Sequence, residues 1–267
     1  MKSTITLGNI DFKIKESFIT NLDASQNVIL PKNYFLVLNV EINNKNDQVL
    51  YFDREIFRIN NKDEYLYPAS TYCNSFSDIG NCYQENSKIK VGNQEYIVLF
   101  KINSDSYDGY FEILKNKKDN YNYEKMKITS SNISVTTEEY DMNNEYFNIN
   151  SYKISDQETI QYNECLDDEC ITKSRNVYAD LNNKIIVLNV SNLQDFEKDF
   201  LENYMGFYYY INEKKYDVSS SKINILDIND NNVYISVPKI FLTTPNMGIS
   251  FRTRRKNIYI KLGDASE

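Results

Sequence analysis

The sequence contains the same series of strand-like segments twice, and this repetition limits the possible folds more than any other feature. FKIKESFIT (residues 12–20) resembles FNINSYKIS (147–155), and Val-Leu-Asn-Val occurs at both 37–40 and 187–190. Further matches follow in the same order: 57–65 with 209–216, 96–102 with 234–240, and 109–114 with 248–253. A biased amino-acid composition alone could explain one or two of these matches. The ordered series of matched segments therefore predicts that the chain arose by duplication of one unit.

Within each half, apolar and polar residues alternate with a period of two, as in VLNVEI and IYIKL. This period, together with the many β-branched and aromatic residues, is typical of strands, while helical periodicity is scarce. We expect an all-β protein made of two tandem antiparallel β-sandwich domains, residues 1–137 and 138–267. The join is expected within the polar segment 136–145, which shows no strand alternation.

The first half resembles the immunoglobulin-like extracellular domain found in lipoproteins of Gram-positive bacteria. The matching stretch runs from ITLGNIDFKIKESFIT to LYFDREIFRI, and its second strand follows a Pro-Lys pair. The residues that carry the resemblance are Pro31, Lys32, Phe35, Val37, Val40, Asn43 and Phe57. In the second half, DLNNK replaces the Pro-Lys lead, so the pattern is poorer there. The resemblance implies immunoglobulin-like sandwiches in an anchored extracellular setting, without known catalytic residues.

Composition excludes several classes of function. The chain has no histidine, which rules out Ser-His-Asp and Cys-His nucleophile pairs and the HExxH zinc site. A net charge of −8 repels phosphate backbones, so we expect no nucleic-acid partner. No apolar run reaches the roughly 18 residues of a membrane span, and no signal peptide is visible. The protein is therefore either cytosolic or an ectodomain whose anchor lies outside this chain.

The four cysteines form two local pairs, Cys73 with Cys82 and Cys165 with Cys170. Eight residues separate the first pair, a gap longer than zinc sites use, and the acidic residues 167–169 disfavour a thiolate in the second. We favour one disulfide in each domain, which indicates an oxidising compartment. Free thiols and a metal site stay open as alternatives. We expect no metal and no cofactor.

Two surface features are candidate binding sites. On a strand, Tyr208 and Tyr210 point to the face opposite Phe207 and Tyr209. That face is either a half-buried sheet surface or an aromatic platform for a sugar or protein partner. The second feature is a basic hairpin near the C-terminus, which is either a solvated turn or a contact for an anionic envelope polymer. Its charged residues are Arg252, Arg254, Arg255 and Lys256.

These observations together predict a non-catalytic extracellular protein that acts as a binding or spacer module at the cell surface. It would be anchored to the membrane or wall through a segment outside this chain. The alternative is an adhesin-like protein that binds a cell-envelope polymer, glycan or protein through the exposed tyrosines and the basic hairpin. A carboxylate-dependent hydrolase is a further alternative, although one sequence does not show which acidic residues would share a cleft.

The disulfide prediction can be tested by titrating thiols in denaturant. We expect no reactive thiol before reduction and four after it, because all four cysteines would be paired. Four reactive thiols in the unreduced protein would contradict the prediction and remove the argument for an oxidising compartment.

Overall fold

The structure is a computed structural model in which the chain divides into two compact units, Met1–Ser134 and Val135–Glu267. The described residues are 4–61, 64–116, 122–144, 148–165, 172–191, 201, 203–218, 223–229, 231–244 and 246–263. Among them, no helix is long and apolar enough to cross a membrane. Both units are built mainly from β-strands.

The first unit contains two four-stranded sheets, which we name its back and front sheets, and a two-stranded one. Its strands are β1 (Thr4–Leu7), β2 (Ile10–Thr20), β3 (Tyr34–Asn44), β4 (Leu50–Phe52), β5 (Phe57–Asn61), β6 (Glu64–Leu66), β7 (Ser87–Ile89), β8 (Gly92–Ile102), β9 (Ser106–Asn116) and β10 (Asn122–Ser131). The back sheet has the order β1-β2-β3-β8 and the front sheet the order β10-β9-β5-β6, while β4 pairs with β7. Short 3-10 helices span Arg54–Ile56 and Ser70–Ile79.

The second unit also has a back and a front sheet. Its strands are β11 (Thr136–Tyr140), β12 (Asn148–Ser155), β13 (Thr159–Cys165), β14 (Thr172–Tyr178), β15 (Asn183–Ser191), β16 (Met205–Ile211), β17 (Lys214–Val218), β18 (Asn224–Asn229), β19 (Asn232–Pro238), β20 (Met247–Arg252) and β21 (Lys256–Lys261). The back sheet has the order β12-β15-β19-β18, the front sheet the order β11-β21-β20-β16-β17, and β13 pairs with β14. A 3-10 helix spans Lys239–Thr243.

In each unit the two sheets face each other across one hydrophobic core. In the first unit, the rings of Phe100 from the back sheet and Phe111 from the front sheet meet with their centroids 6.2 Å apart. In the second unit, buried Leu188 from the back sheet shares a core with Phe207 and Ile249 from the front sheet. The prediction of an all-β, antiparallel sandwich fold is therefore confirmed. The immunoglobulin-like family and the count of two domains stay predictions.

The central strand β3 is buried on both faces over part of its length. Leu36 and Leu38 point into the core between the sheets, whereas Phe35 and Val37 point to the outer face of the back sheet. A second small core covers that outer face, and Phe76 from the 3-10 helix 70–79 packs in it. A strand covered on both sides needs a continuous apolar run instead of alternation, which explains the sequence FLVL.

A disulfide holds this cover in place. Cys73 in the 3-10 helix is bonded to Cys82, with their Cα atoms 5.4 Å apart. The chain beside Cys82 also pairs with the edge of β8, because the Tyr83 amide donates to the Ile97 carbonyl at 2.8 Å. The predicted pairing of Cys73 with Cys82 is thus present in the structure, where it closes the cover over the back sheet.

In the second unit a hairpin performs the same covering task. Strands β13 and β14 lie over the outer face of the back sheet, where Val177 packs with Ile185 and Tyr234. Cys165 ends β13 and pairs in register with Thr172. Cys170 and the side chain of Cys165 lie outside the described residues, so the second predicted disulfide stays a prediction.

The two units share their strand order. The series β2-β3-β8 and β10-β9-β5-β6 in the first unit correspond to β12-β15-β19 and β21-β20-β16-β17 in the second. The bulges also correspond, since the register shifts between Ile14 and Glu16 in one unit and between Ile149 and Ser151 in the other. Ile14 and Ile149 are matched residues of the sequence repeat. Duplication stays a prediction, and the shared strand order and bulge position are consistent with it.

Two details differ from the sequence interpretation. Tyr96 lies opposite Val40, whereas Tyr234 lies opposite Val187. In the sequence repeat, Val187 corresponds to residue 37 and not to residue 40. The match of 96–102 with 234–240 is therefore three residues out of structural register. The segment at the predicted join also contains strand β11, which pairs in parallel with β21. The polar segment thus contains a strand although it lacks apolar alternation, because a strand added to an exposed sheet edge needs backbone hydrogen bonds and no apolar alternation.

The disulfide should contribute measurably to the stability of the first unit. Replacing Cys73 and Cys82 by serine should lower its free energy of unfolding by about 2.5 kcal/mol, because the short loop gains chain entropy in the unfolded state. Urea denaturation measures this change, and the reduced wild-type protein should match the variant. A decrease below about 0.5 kcal/mol would show that the cover is held by packing alone.

Candidate functional site

A pocket of about 770 Å³ opens at one end of the front sheet of the second unit. Its walls come from the end of β11, the β16–β17 hairpin, the segment before β20, and the end of β21. The lining residues are Glu139, Tyr140, Asp141, Tyr208, Tyr210, Ile211, Asn212, Glu213, Thr243, Thr244, Asn246, Met247 and Lys261. We call this cavity the tyrosine pocket. Its volume lies in the usual range of small-ligand sites.

The aromatic run on β16 supplies two of the pocket tyrosines. Phe207 is fully buried in the core, and Tyr209 leans on the same core while stacking on Tyr216. Tyr208 and Tyr210 lie on the opposite, outer face, where their ring centroids are 6.0 Å apart. The strand period therefore places these side chains on the faces expected from the sequence. Tyr208 is only 4% exposed, however, and so does not form an open platform.

Small residues under Tyr208 explain why its ring can lie flat on the sheet. Gly248 is directly opposite Tyr208 on β20. A Cβ atom on Gly248 would lie 2.4 Å from the Tyr208 ring, closer than any real contact, so glycine is required there. Gly206 and the fully buried Ser250 are also paired with each other in this part of the sheet. The tyrosine ring thus fills a shallow trough of small side chains.

A lysine from the neighbouring strand lies across these rings. The ammonium group of Lys215 is 3.8 Å from the centroid of the Tyr259 ring, 5.4 Å from that of Tyr208 and 5.7 Å from that of Tyr210. It forms an ion pair with Glu139 on the far edge of the sheet. Because the face of an aromatic ring attracts cations, the tyrosines and the carboxylate together stabilise this ammonium. The outer face of the sheet is therefore a built cation site, occupied by the protein's own lysine.

This packing shifts the pKa values of Lys215 and of the tyrosines Tyr208 and Tyr259. Burial raises the pKa of Tyr259 to about 12, and the neighbouring Asp217, which accepts a hydrogen bond from its hydroxyl at 3.1 Å, adds to the effect. Burial likewise raises the pKa of Tyr208. For Lys215, burial lowers the pKa, but hydrogen bonds to Glu139 and Tyr210 outweigh it, and the pKa is raised. Lys215 therefore stays charged, and Tyr208 and Tyr259 stay neutral, near neutral pH.

The turn at the rim of the pocket carries an unusual residue. Asn212 and Glu213 connect β16 to β17, and their φ angles are 49° and 65°. A two-residue hairpin turn with both φ angles positive favours Asn-Gly, because a side chain at the second position is strained. Glu213 takes that second position and lines the pocket, although glycine would be the easier residue there.

The structure does not bring the predicted basic residues to the tyrosine pocket. Arg255 is exposed, but Arg254 is only 3% exposed, so the hairpin is not the solvated cationic surface expected from the sequence. Arg252 is half-buried, and Lys256 is held by an ion pair to Glu138 at 2.7 Å. None of these four side chains lines the tyrosine pocket. Their role in binding stays a prediction, now without a shared exposed surface to support it.

The front sheet of the first unit has a comparable cluster on its outer face. The guanidinium of Arg58 lies between the rings of Tyr65 and Tyr123, 3.7 and 3.5 Å from their centroids. It pairs with the fully buried Glu112 at 2.7 Å, and Lys125 approaches the same carboxylate at 2.9 Å. Each unit thus covers its front sheet with tyrosines that hold a cation, and in both units a carboxylate neutralises that cation.

Sequence reasoning missed most of the pocket. It also missed the cation cluster beside the pocket: Glu139, Lys215 and Tyr259 lie on three different strands, and the sheet order β11-β21-β20-β16-β17 is what brings them together. The available signal was the alternation KKYDV on β17, which places Lys215 and Asp217 on the same face. Glu139 could not be found in this way, because its strand is an unexpected parallel addition.

Comparison with known proteins adds little. No protein-family model matches the sequence, and no curated protein matches it. Three solved structures from Gram-positive bacteria resemble the chain weakly. A predicted lipoprotein of Bacillus subtilis is 16% identical with a TM-score of 0.35, covering 48% of this chain and 39% of that one. A predicted lipoprotein of Staphylococcus aureus is 18% identical with a TM-score of 0.35, covering 50% and 96%.

The third structure, a functionally unknown protein of Listeria monocytogenes, is 8% identical with a TM-score of 0.32, covering 48% of this chain and 79% of that one. The match to the Bacillus protein spans only about two fifths of that protein's length. Similarities as weak as these carry no argument about family, function or location.

The buried position of Tyr259 predicts a specific response to alkaline pH. Its pKa of about 12 in the folded state exceeds the ordinary value of 10, so folding favours the neutral phenol. This contribution to stability is complete below pH 10 and is lost as the pH rises through 12. Tyr259→Phe should remove one tyrosine from the late step of a tyrosinate absorbance titration. An unchanged late step in Tyr259→Phe would contradict the assignment.

Proposed function

We propose that this protein is a non-catalytic extracellular module of the bacterial cell envelope, built from tandem immunoglobulin-like sandwiches, which binds a ligand in the tyrosine pocket. The pocket is the observation that carries the proposal. It combines tyrosine rings with amide, hydroxyl and carboxylate groups, which suits recognition of a ligand with both apolar and polar surfaces. Strands of one sheet and the two-residue β16–β17 turn form much of its wall, and walls held by strand pairing lose less conformational freedom on binding than loops do.

The proposed location rests on the cysteines. The disulfide between Cys73 and Cys82 closes the cover of the first unit. Disulfides that serve as structural links form in oxidising compartments and are rare in the cytosol. The sequence resemblance to lipoprotein domains supports the same setting, in which a segment outside this chain would provide the anchor.

The pocket supports binding better than hydrolysis. A glycosidase-type reaction needs a pair of carboxyl groups, one acting as an acid and the other as a base or nucleophile. Of the carboxylates that line the pocket, Glu139 is committed to Lys215. The other two, Asp141 and Glu213, are exposed to water and lack the apolar surroundings that keep a catalytic acid protonated. A carboxylate held in an ion pair is a poor proton acceptor. We therefore propose recognition of a ligand, with an adhesin-like glycan or protein contact as its most specific form.

Binding to a glycan array and to isolated Gram-positive cell envelopes tests this function. Tyr210→Ala should weaken binding by about fivefold or more, because one aromatic contact in the pocket is lost. Tyr216→Ala is the matched control, since Tyr216 lies on the paired strand and stacks on Tyr209 at the opposite face. Equal binding by both variants, or no binding by the wild-type protein to any envelope component, would overturn the proposal.

A further inference from the structure

We propose that the ligand of the tyrosine pocket is an organic cation, whose ammonium group lies among tyrosine rings and carboxylates. This inference rests on the proposed function, because it names the class of ligand for the same pocket. It starts from the chemistry that the outer face of the front sheet already shows. The ammonium of Lys215 lies 5.4 and 5.7 Å from the centroids of Tyr208 and Tyr210, both of which line the pocket. The carboxylate that neutralises it, Glu139, also lines the pocket.

The charged residues at the rim of the pocket also favour a cationic ligand. Asp141 directly after β11 and Glu213 in the β16–β17 turn both line the pocket, and within the described part of the chain neither carboxylate has an ion-pair partner. Lys261 supplies one positive charge to the lining. With the Glu139–Lys215 pair neutral, the pocket keeps a net negative charge, in a chain whose own net charge is −8. This field attracts a cation and repels carboxylates and phosphates.

Aromatic rings add a preference for organic cations over metal ions. A weakly hydrated ammonium loses little when it contacts a ring face, and such contacts contribute about 0.5–2 kcal/mol, depending on how far they are desolvated. Tyr140 adds a further ring to the lining beside the two tyrosines of β16. The amides of Asn212 and Asn246 and the hydroxyls of Thr243 and Thr244 can bind polar groups on the rest of the ligand. The volume of about 770 Å³ accommodates a ligand considerably larger than the ammonium group alone.

Titration of the full chain with small probes tests the inference. Choline and ethanolamine present a quaternary and a primary ammonium group, and the neutral carbon isostere of choline has a tert-butyl group in place of its trimethylammonium group. Acetate and calcium ions serve as an anion and an inorganic cation. Backbone amide shifts in an NMR spectrum locate each probe. We expect choline or ethanolamine to shift residues of the pocket, with weaker binding at higher salt, and the neutral isostere and acetate to bind at least about fivefold less tightly.

Variants then identify the charge that is responsible. Glu213→Gln keeps the shape of the side chain but removes its charge, and it should weaken binding of the ammonium probe by about two- to fivefold. Asp180→Asn is the matched control, because Asp180 is an exposed carboxylate in the turn before β15 of the same unit and does not line the pocket. Tyr210→Ala should weaken binding of the ammonium probe but not that of calcium.

The outcomes separate this inference from the proposed function. Equal affinity for choline and its neutral isostere, or stronger binding of calcium than of either ammonium probe, would overturn the ligand class. If envelope binding still depended on Tyr210, the proposed function would stand while the ligand class fell. If neither the probes nor envelope material depended on Tyr210, both would be rejected. An ammonium response that is lost in Glu213→Gln and kept in Asp180→Asn supports the inference.

Discussion

Burial of the back sheet on both of its faces is the constraint on which the rest of the structure depends. In a two-layer sandwich, one face of each sheet packs against the other sheet and the second face meets water. Here β3 places Leu36 and Leu38 on the inner face, but it also places Phe35 and Val37 on the outer face, all fully buried. An apolar outer face must be covered, because leaving it in water would cost about 25 cal/mol for each Å² exposed. The covers, and the disulfide that fastens the first one, follow from this requirement.

The front sheets solve the opposite problem, because their outer faces carry charges. In the first unit the carboxylate of Glu112 is fully buried, and it is neutralised by Arg58 and Lys125. In the second unit, Lys215 extends across tyrosine rings to Glu139. A buried charge without a partner would cost several kcal/mol, so each of these clusters holds together only as a unit. Tyrosine serves in both, since its ring contacts the cation while its hydroxyl keeps a polar partner.

The sequence was informative where local period decides the outcome. Alternation predicted the strands and the opposite faces of Phe207 and Tyr208, and the short polar loop between Cys73 and Cys82 favoured their pairing. It failed where distant strands meet. Nothing local indicates that Arg254 is buried, and the burial of Tyr208 depends on Gly248 from another strand.

The match of residues 96–102 with 234–240 failed for a related reason. In a chain rich in tyrosine, isoleucine and lysine, two segments can look alike in sequence at an alignment offset that differs from the one given by their strand pairing. In a sheet, a slip by an odd number of residues moves a side chain to the other face. Tyr96 accordingly packs against the core between the sheets, whereas Tyr234 packs under the cover hairpin.

Among the residues that the structure describes, the tyrosine pocket belongs to the second unit, and strand β11 accounts for part of this difference between the units. In the second unit, β11 pairs with the outer edge of β21 and brings residues 139–141 to the pocket wall. Strand β10 takes the equivalent position in the first unit, where no strand of the described chain is paired with its outer edge. The cover segments also enter at different points, after β6 in one unit and after β12 in the other. If the units descend from one ancestor, the shared sandwich is the inherited part. The covers and the pocket were then added separately, so functional differences between the units should reside in these additions, and the aligned strands should carry mainly the requirements of the fold.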